Sequence, residues 1–320
     1  MKVLITGATG FVGKAVCFGA HDAGYDVIAA VRECTQVFSE KIKQLKIVDL
    51  SQEIDWENAL QGTGVVIHIA ARAHVMNDIA IDALTEFRKV NTLATLCLAR
   101  QAAEAGVRRF VFISSIGVNG NNNIHPFTAS DSPNPQEPYA VSKYEAEEEL
   151  LALAKTTKME VVIIRPPLVY GINAPGNFGS LMKWMNKGVP LPFGAVHNQR
   201  SLVALDNLVS FIIHCADYKK TPQAANQVFL ISDGEDVSTT ELLQKVAKAF
   251  GKKSLLLPVP VSLMILAAKL LGRGDVANRL FGSLQVDSSK ARELLGWKPV
   301  ITMDEQLKKT ADAYLAEKKD

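Results

Sequence analysis

The sequence has few cysteines, almost no net charge and no metal-ligand spacing. Its 320 residues include four cysteines with neither CxxC spacing nor paired histidines: Cys17, Cys34, Cys97 and Cys215. This usage predicts free thiols in a reducing cytoplasm and no metal site. A net charge of +2 gives no general attraction to nucleic acid or to an anionic membrane.

The sequence also lacks an apolar run long enough to cross a bilayer. The longest, residues 254–271, is interrupted by Pro258, Pro260 and Lys269. We interpret it as a loop followed by a core helix, with membrane contact as the alternative, and we expect no membrane insertion. We also expect no secretory signal peptide, because the first predicted strand already begins at Lys2.

Apolar strand-like runs alternate with helical patterns through the first half of the chain. The predicted strands cover residues 2–6, 26–31, 45–48, 65–69, 109–114 and 161–165, and the predicted helices lie near 12–23, 55–60, 80–105 and 139–155. Strands that are apolar throughout and alternate with helices indicate a parallel sheet covered on both faces. The fold class predicted is α/β, a doubly wound parallel sheet with a smaller, interleaved C-terminal α/β domain.

The chain changes character after Arg165, where prolines and glycines become frequent. We therefore predict a dinucleotide-binding domain at 1–165, with returning segments near 200–232. The predicted substrate domain comprises residues 166–199 and 233–320. Its last stretch, 304–320, is helical and highly charged, which is typical of a solvated face.

A glycine-rich turn follows the first strand, in Thr6-Gly-Ala-Thr-Gly-Phe-Val-Gly13. Gly7 permits a tight turn, Gly10 lets the backbone approach a phosphate, and Gly13 lets the helix pack closely on the strand. The helix that follows directs its free N–H groups and positive dipole end at an anion. Strand, turn and helix in this order predict a pyrophosphate site of Rossmann type.

Tyr139 and Lys143 are four residues apart, on one face of a predicted helix that begins after Pro138. A lysine cation beside a phenol stabilises the phenolate, so we expect Lys143 to lower the pKa of Tyr139 toward neutrality. Such a tyrosine exchanges protons with a substrate hydroxyl or ketone. The preceding strand ends in Ser114-Ser115, whose hydroxyls emerge at the carboxyl edge of the sheet, where ligands bind.

Together these motifs resemble the extended short-chain dehydrogenase/reductase family, in particular its nucleotide-sugar epimerases, dehydratases and reductases. The resemblance covers essentially the whole chain and includes these further marks: Asp49-Leu50, His68-Ile-Ala-Ala71, Val90-Asn91, Phe112-Ile-Ser-Ser115, Arg165-Pro-Pro-Leu-Val-Tyr-Gly171 and Leu294-Leu-Gly-Trp-Lys-Pro299.

The resemblance implies a role for each matching position. Ser115, Tyr139 and Lys143 would be catalytic, with Tyr139 as the acid and base and Lys143 holding the nicotinamide ribose. The implied cofactor-binding residues are Gly7, Thr9, Gly10, Phe11, Val12, Gly13, Arg32, Asp49, Leu50, Ala70, Ala71, Asn91, Tyr139, Lys143 and Pro166. The implied substrate-binding residues are Ser115, Asn177, Arg200 and Arg279. The implied substrate is a UDP-sugar, and relatives of this kind also form homodimers through the helix that carries the tyrosine.

The sequence departs from the family's dehydratases just after Ser115. Those enzymes place an Asp-Glu pair where this chain has Ile116 and Gly117, which accept no proton. Arg32, directly after the second predicted strand, suits a 2′-phosphate, so we favour NADP(H) over NAD(H). This favours a 4-keto-sugar reductase of surface-polysaccharide synthesis. The alternatives are a UDP-glucose or UDP-N-acetylglucosamine 4-epimerase and, more remotely, a non-catalytic NADP-sensing regulator.

Two other polar features are interpreted as structural. His68 lies on a predicted buried strand, so we expect a core histidine with satisfied hydrogen bonds. The acidic run from Glu145 to Glu149 is expected to form an exposed helix face.

Overall fold

The computed structural model describes residues 1–73, 82–270 and 280–317. Its strands are β1 (Lys2–Thr6), β2 (Asp26–Val31), β3 (Lys43–Lys46), β4 (Thr63–His68), β5 (Arg109–Ile113), β6 (Glu160–Arg165), β7 (Leu168–Tyr170), β8 (Arg200–Ala204), β9 (Gln227–Leu230) and β10 (Asp236–Val237). Seven of them form one sheet in the order β3-β2-β1-β4-β5-β6-β9. All of its neighbouring pairs are parallel.

The α-helices of the described residues are α1 (Phe11–Asp22), α2 (Glu57–Leu60), α3 (Ala83–Arg88), α4 (Ala94–Glu104), α5 (Pro138–Thr156), α6 (Gly176–Lys187), α7 (Leu205–Ala216), α8 (Thr239–Ala249), α9 (Val261–Leu270), α10 (Ser289–Leu295) and α11 (Met303–Ala316). A π-helical turn, Lys89–Leu93, separates α3 from α4. The single helix predicted over 80–105 is therefore divided in two, and residues 80 and 81 lie outside the described residues.

The seven-stranded sheet is covered on both faces. Val3 and Ile5 of β1 pack on one side with apolar residues of α1 and α7. Leu4, between them, packs on the other side with residues of α2, α4 and α5. Successive side chains of a strand point to opposite faces, so a strand that is apolar throughout needs two cores. The predicted doubly wound α/β fold is confirmed.

A second, smaller sheet has the order β10-β8-β7, with β8 parallel to β7 and antiparallel to β10. Its core is shared with α6, α8 and α11. The expectation that the charged C-terminal stretch is only a solvated face is wrong for α11. Leu307 and Ala311 on this helix are buried, because residues four apart lie on the same helix face.

The apolar run 254–271 also differs from its prediction. It contains the expected helix, α9, but none of that helix's residues is buried, so the expected core helix is wrong. Residue 271 lies outside the described residues. Within the described part of the chain, every helix is too short or too polar to cross a membrane.

The glycine-rich turn has the shape expected from its spacing. Gly7 adopts a φ of +69°, a conformation that favours glycine. A Cβ on Gly7 would lie 2.6 Å from the backbone nitrogen of Ala70, beyond the end of β4. A Cβ on Gly13 would lie 2.0 Å from the carbonyl oxygen of Gly7. The first and third glycines are therefore required by backbone contacts.

We expect Gly13→Ala to destabilise the protein, although helix propensity alone favours alanine by about 1 kcal/mol. The added methyl group meets backbone that cannot move aside freely, and overpacking of this kind costs about 1–3 kcal/mol. Gly10→Ala is the matched control, because its Cβ would lie 3.2 Å from the Gly7 oxygen. The measurement is chemical denaturation of each variant. A Gly13→Ala variant as stable as the parent would contradict the close contact.

Candidate active site

The glycine turn and the start of α1 form an open cradle at the carboxyl edge of the large sheet. Thr9 and Gly10 are exposed, whereas Phe11 and Val12 in the first turn of α1 are half-buried. Gly10 caps the helix without a side-chain hydrogen bond, and the first turn carries no acidic residue. No side chain caps this turn, so its N–H groups are available to an anion.

Asn91 ties the loop after β4 to the helix α5. Its side-chain oxygen accepts a hydrogen bond from the Arg72 N–H at 2.8 Å, and its amide donates to the Arg72 carbonyl and to Ser142 Oγ. Asn91 is fully buried. These three hydrogen bonds tie the loop that contains Ala70 and Ala71 to α5 through Asn91.

Ser115 follows β5 and begins a 3₁₀ turn, residues 116–118. Its Oγ accepts a hydrogen bond from the Gly117 N–H at 3.1 Å. The Ile116 N–H donates to the carbonyl of Pro166 at 3.0 Å, beyond the end of β6. A Cβ on Gly117 would lie 3.3 Å from the Cβ of Ala140. These contacts place Ser115 between the ends of two strands and the start of α5.

Tyr139 is the second residue of α5, directly after Pro138, whose ring favours the first helical turn. Its ring meets Phe87 edge to face, with the centroids 6.0 Å apart. Burial raises the pKa of Tyr139 to about 12. No hydrogen bond joins the phenol hydroxyl to any of the described residues, so this group is left for a ligand.

Lys143 lies one helical turn further along α5 and is 1% exposed. Its Nζ donates to the Ile113 carbonyl at 2.8 Å and lies 4.2 Å from the centre of the Phe112 ring. Burial lowers the pKa of Lys143 to about 7, opposed by the Glu147 carboxylate, which raises it. The expectation that Lys143 lowers the pKa of Tyr139 is wrong for the protein without a bound cofactor. The Nζ donates to the end of β5, and burial favours the neutral form of both groups.

The residues at this edge fit a dinucleotide. The edge carries the glycine cradle and the Tyr139 hydroxyl, and Ser114 Oγ is buried there with no hydrogen-bond partner among the residues that the structure describes. Buried hydroxyls are usually paired, so an orphaned one beside the groove suits a polar ligand. A nicotinamide dinucleotide bound here would supply oxidation and reduction at a substrate carbon held near Ser115 and Tyr139.

Arg32 and Asp49 lie together at the other end of the expected cofactor groove. Arg32 follows β2 directly, and its guanidinium lies 3.8 Å from the Asp49 carboxylate. The Ser51 N–H donates to Asp49 at 2.9 Å, and this bond is the main cause that lowers the pKa of that carboxyl group. Leu50, which follows Asp49 in the chain, is half-buried. A cation and an anion therefore lie together where the adenosine half of the cofactor is expected, with Asp49 and Leu50 expected to flank the adenine.

The three other residues expected to bind substrate, besides Ser115, lie in different parts of the chain. Asn177 lies in the first turn of α6. Arg200 begins β8, and its guanidinium donates to the Gly282 carbonyl at 3.0 Å. Burial lowers the pKa of Arg200. Arg279 lies outside the described residues. Arg200 is thus half-buried between β8 and the 280–286 segment rather than fully solvated at a surface strand end.

Sequence reasoning missed a buried ion pair beneath the site. Glu147, on α5, receives hydrogen bonds from the Arg165 guanidinium at distances down to 2.5 Å, and both side chains are almost fully buried. Arg165 also donates to Asn119 at 2.9 Å, just after the Ser115 turn. The expectation of an exposed acidic face is therefore wrong at Glu147. The only sequence signal was Arg165 at the end of a strand that is otherwise apolar from Val161.

His68 is a core residue, as expected. Its ring nitrogens lie 2.7 Å from Thr6 Oγ1 and 2.9 Å from Thr95 Oγ1. Burial, with a further contribution from the Lys143 charge, lowers the pKa of His68 to about 3. The imidazole is neutral at physiological pH and takes no part in acid–base chemistry there.

A dinucleotide cradle beside Ser115, Tyr139 and Lys143, all at the carboxyl edge of a parallel sheet, defines an oxidoreductase-type site of the short-chain dehydrogenase/reductase class. The chain belongs to the NAD dependent epimerase/dehydratase family, whose sequence pattern it matches over residues 3–231. It is an enzyme of that family, an epimerase or reductase of nucleotide sugars.

Relatives and solved structures agree with this assignment. The chain is 48% identical to a UDP-glucose 4-epimerase of Vibrio cholerae, over 98% of this chain and 95% of the relative. Its fold matches a UDP-glucose 4-epimerase of Thermotoga maritima solved with UDP-glucose, at a TM-score of 0.79, 24% identity and 99% coverage of both chains. It also matches a UDP-glucuronic acid 4-epimerase of Bacillus cereus solved with NAD, at a TM-score of 0.81 and 22% identity, covering 100% of this chain and 99% of that one. These likenesses support the epimerase alternative better than the 4-keto-sugar reductase, and they do not show the expected NADP preference.

We expect Glu147→Gln to lower the free energy of unfolding by about 3–5 kcal/mol, because it leaves the buried Arg165 charge without its counter-ion. Glu145→Gln is the matched control on the same helix. Glu145 forms a similar bidentate ion pair with Arg88, but that pair is exposed. We therefore expect little change in the free energy of unfolding. Chemical denaturation of both variants provides the test. An equal loss of unfolding free energy in the two variants would show that burying the Glu147–Arg165 pair does not make its loss more costly.

The lowered pKa of Lys143 implies a stability that depends on pH. Between about 7 and the unfolded-chain value of about 10.4, the folded protein has released a proton that the unfolded chain still holds. Stability therefore rises with pH in this window. We expect the free energy of unfolding of the parent to rise relative to that of Lys143→Met as the pH increases through it.

The measurement is a set of denaturation curves for the parent and Lys143→Met across this pH window. Lys155→Met, which removes an exposed lysine from the same helix, is the matched control. A stability difference between parent and Lys143→Met that stays flat with pH would contradict the buried, partly neutral amine.

Proposed function

We propose that this protein is a nucleotide-sugar 4-epimerase that inverts the configuration at C4 of a UDP-hexose, of the glucose or N-acetylglucosamine type. The observation that carries the proposal is the Tyr139 hydroxyl, which has no hydrogen-bond partner among the described residues. Tyr139 lies at the start of α5, the helix that packs against the Ser115 turn. Support for epimerisation comes from the 48% identity to an enzyme named for that reaction. The positions after Ser115 carry no carboxylate, which argues against a dehydratase.

In this proposal the residues divide the work on one carbon. Tyr139 takes the proton of the C4 hydroxyl and later returns a proton to the same oxygen, while Ser115 orients that oxygen by a hydrogen bond. When the cofactor is bound, the charged Lys143 amine interacts with the cofactor ribose and with the Tyr139 phenolate. Its positive charge then stabilises the deprotonated phenol. The bound nicotinamide supplies the oxidation and reduction at C4. The second step reduces the C4 ketone formed in the first, but from its opposite face, after the sugar has turned over in the site. C4 is thereby inverted and the cofactor is regenerated in every cycle.

We propose NAD as the cofactor, in place of the NADP expected from Arg32 alone. The Asp49 carboxylate lies 3.8 Å from the Arg32 guanidinium. In this proposal the Asp49 carboxylate beside Arg32 repels the 2′-phosphate of NADP. The pairing also uses part of the Arg32 charge that a phosphate would need. A recycled cofactor is consistent with NAD, since no external reducing power is consumed.

The remaining assignments complete the proposal. The large sheet, with its returning strand β9, would hold the cofactor, and the small sheet with α6, α8 and α11 would hold the substrate. Arg200 and Asn177 are proposed to meet the UDP moiety. Four free thiols suit a reducing cytoplasm, which we propose as the location, and a homodimer through α5 is proposed from the family resemblance.

The decisive measurement compares product with cofactor. Purified protein receives excess UDP-glucose or UDP-N-acetylglucosamine and a substoichiometric amount of NAD, and the galacto product is quantified. We expect many product molecules per NAD. No conversion of either sugar, together with stoichiometric oxidation of NADPH by a UDP-4-keto sugar, would overturn the epimerase proposal in favour of a reductase.

Tyr139→Phe tests the acid–base role. Turnover should fall by about 10²–10⁴-fold, the usual contribution of a positioned acid or base. The melting temperature should stay close to that of the parent, because the lost hydroxyl makes no hydrogen bond to the described residues. Undiminished turnover would place the proton transfer on another group. Tyr144→Phe, on the same helix, is the control that keeps the Tyr139 phenol.

A further inference from the structure

The outward face of α9 is apolar. Leu263, Leu266 and Leu270 follow one another at helical spacing and are 57%, 56% and 80% exposed. On an ordinary surface helix the apolar stripe faces the core and the polar residues face water. Here the stripe faces outward, while Met264 and Ile265 on another side are only half-buried.

The extended segment before α9 continues this pattern. Leu255 and Leu257 are 51% and 54% exposed, whereas Leu256 between them is turned inward and packs on the core of the small sheet. Backbone hydrogen bonds from Leu191 to Leu255 at 2.9 Å and from Leu257 to Leu191 at 2.8 Å fix this alternation. The exposed leucines cannot turn inward without breaking that pairing. We call the five exposed leucines the leucine surface: Leu255, Leu257, Leu263, Leu266 and Leu270.

The segment that carries the leucine surface contains basic residues only. Between Glu241 and Asp275 the sequence contains six lysines or arginines and no acidic residue, and two of them, Lys245 and Lys248, are paired with Asp304 from another segment. Two of these cations, Lys253 and Lys269, are exposed in the same stretch as the leucines. An exposed apolar surface with basic residues and no acidic ones is complementary to a surface that is apolar inside and negatively charged at its boundary.

We propose that the leucine surface docks on an anionic phospholipid bilayer. The leucines would enter the boundary between headgroups and acyl chains, and Lys253 and Lys269 would meet the anionic headgroups. The ten residues of α9 extend only about 15 Å, half the thickness of the hydrocarbon core, so the helix lies on the bilayer and does not cross it.

Charge argues against a second copy of this chain as the occupant. In a two-fold dimer the same patch meets itself, so Lys253 and Lys269 of one copy would face those of the other without an acidic residue from this stretch to pair with. An anionic bilayer has no such repulsion. The inference does not depend on the sugar, the cofactor or the reaction proposed above.

The test is co-flotation of the full-length protein with vesicles. We expect it to float with vesicles of equal parts phosphatidylglycerol and phosphatidylcholine, and much less with pure phosphatidylcholine. Leu266→Ser/Leu270→Ser should weaken vesicle binding by at least about tenfold, since each leucine removed from apolar surroundings costs on the order of a factor of ten. Lys253→Ala/Lys269→Ala, or 1 M salt, which shortens the screening length to about 3 Å, should also weaken it.

The matched control is Leu294→Ser/Val300→Ser, which removes two exposed apolar side chains outside the leucine surface. This variant should bind vesicles like the parent. All six substitutions lie at exposed side chains, so each variant should fold, and its melting temperature and its turnover of UDP-sugar are measured alongside. The leucine surface lies outside the proposed catalytic and binding residues, and turnover should therefore stay unchanged.

Three results would overturn the proposal. The parent fails to float with the phosphatidylglycerol vesicles, or Leu266→Ser/Leu270→Ser floats as well as the parent. The third is a concentration-dependent dimer in light scattering that Leu266→Ser/Leu270→Ser abolishes, since a second copy would then cover the surface.

Discussion

The site depends on one buried lysine. Lys143 Nζ donates to the carbonyl that ends β5, and this bond fixes α5 against the strand that leads into the Ser115 turn. Burying an amine there is unfavourable for its charged form, and the Glu147 carboxylate one turn further along α5 partly offsets this. That carboxylate is in turn held by Arg165 from the end of β6. Two strand ends and the helix of Tyr139 are thus fixed relative to one another by a few polar contacts in an otherwise apolar core.

A continuous set of short contacts connects the glycine turn to the same helix. Gly7 lies directly against the backbone of Ala70, and the loop that follows is bound to Asn91. Asn91 also donates to Ser142, whose hydroxyl donates to the Tyr139 carbonyl at 2.7 Å. Each contact is made through backbone or through a buried side chain. The cradle and the start of α5, which carries Tyr139, are therefore connected by a continuous set of contacts.

The sequence predicted the large sheet well because its signals are local. Strands that are apolar throughout, glycines before a helix and a proline before Tyr139 all act within a few residues. Glu147 could not be predicted in this way, since it sits in an acidic run that is typical of a solvated face and its partner is eighteen residues away. The orientation of α9 was missed for a related reason. The apolar residues of α9 are evident in the sequence, but the tertiary fold decides which face of the helix other elements cover. Asp49 beside Arg32 is a second contact between residues from different segments, and it changes the cofactor proposed.

The π-helical turn Lys89–Leu93 has a consequence for how this protein can vary in length. Such a turn accommodates one residue more than a regular helix would, and Asn91 lies within it. The extra residue is taken up locally, so α3 and α4 keep their register, and Phe87 meets the Tyr139 ring while Asn91 donates to Ser142. Deleting one residue here would turn the segment into regular α-helix, with the flanking helices in place and the position of Asn91 changed. A change of length at this point would therefore act on the Asn91 contacts rather than on the helices on either side.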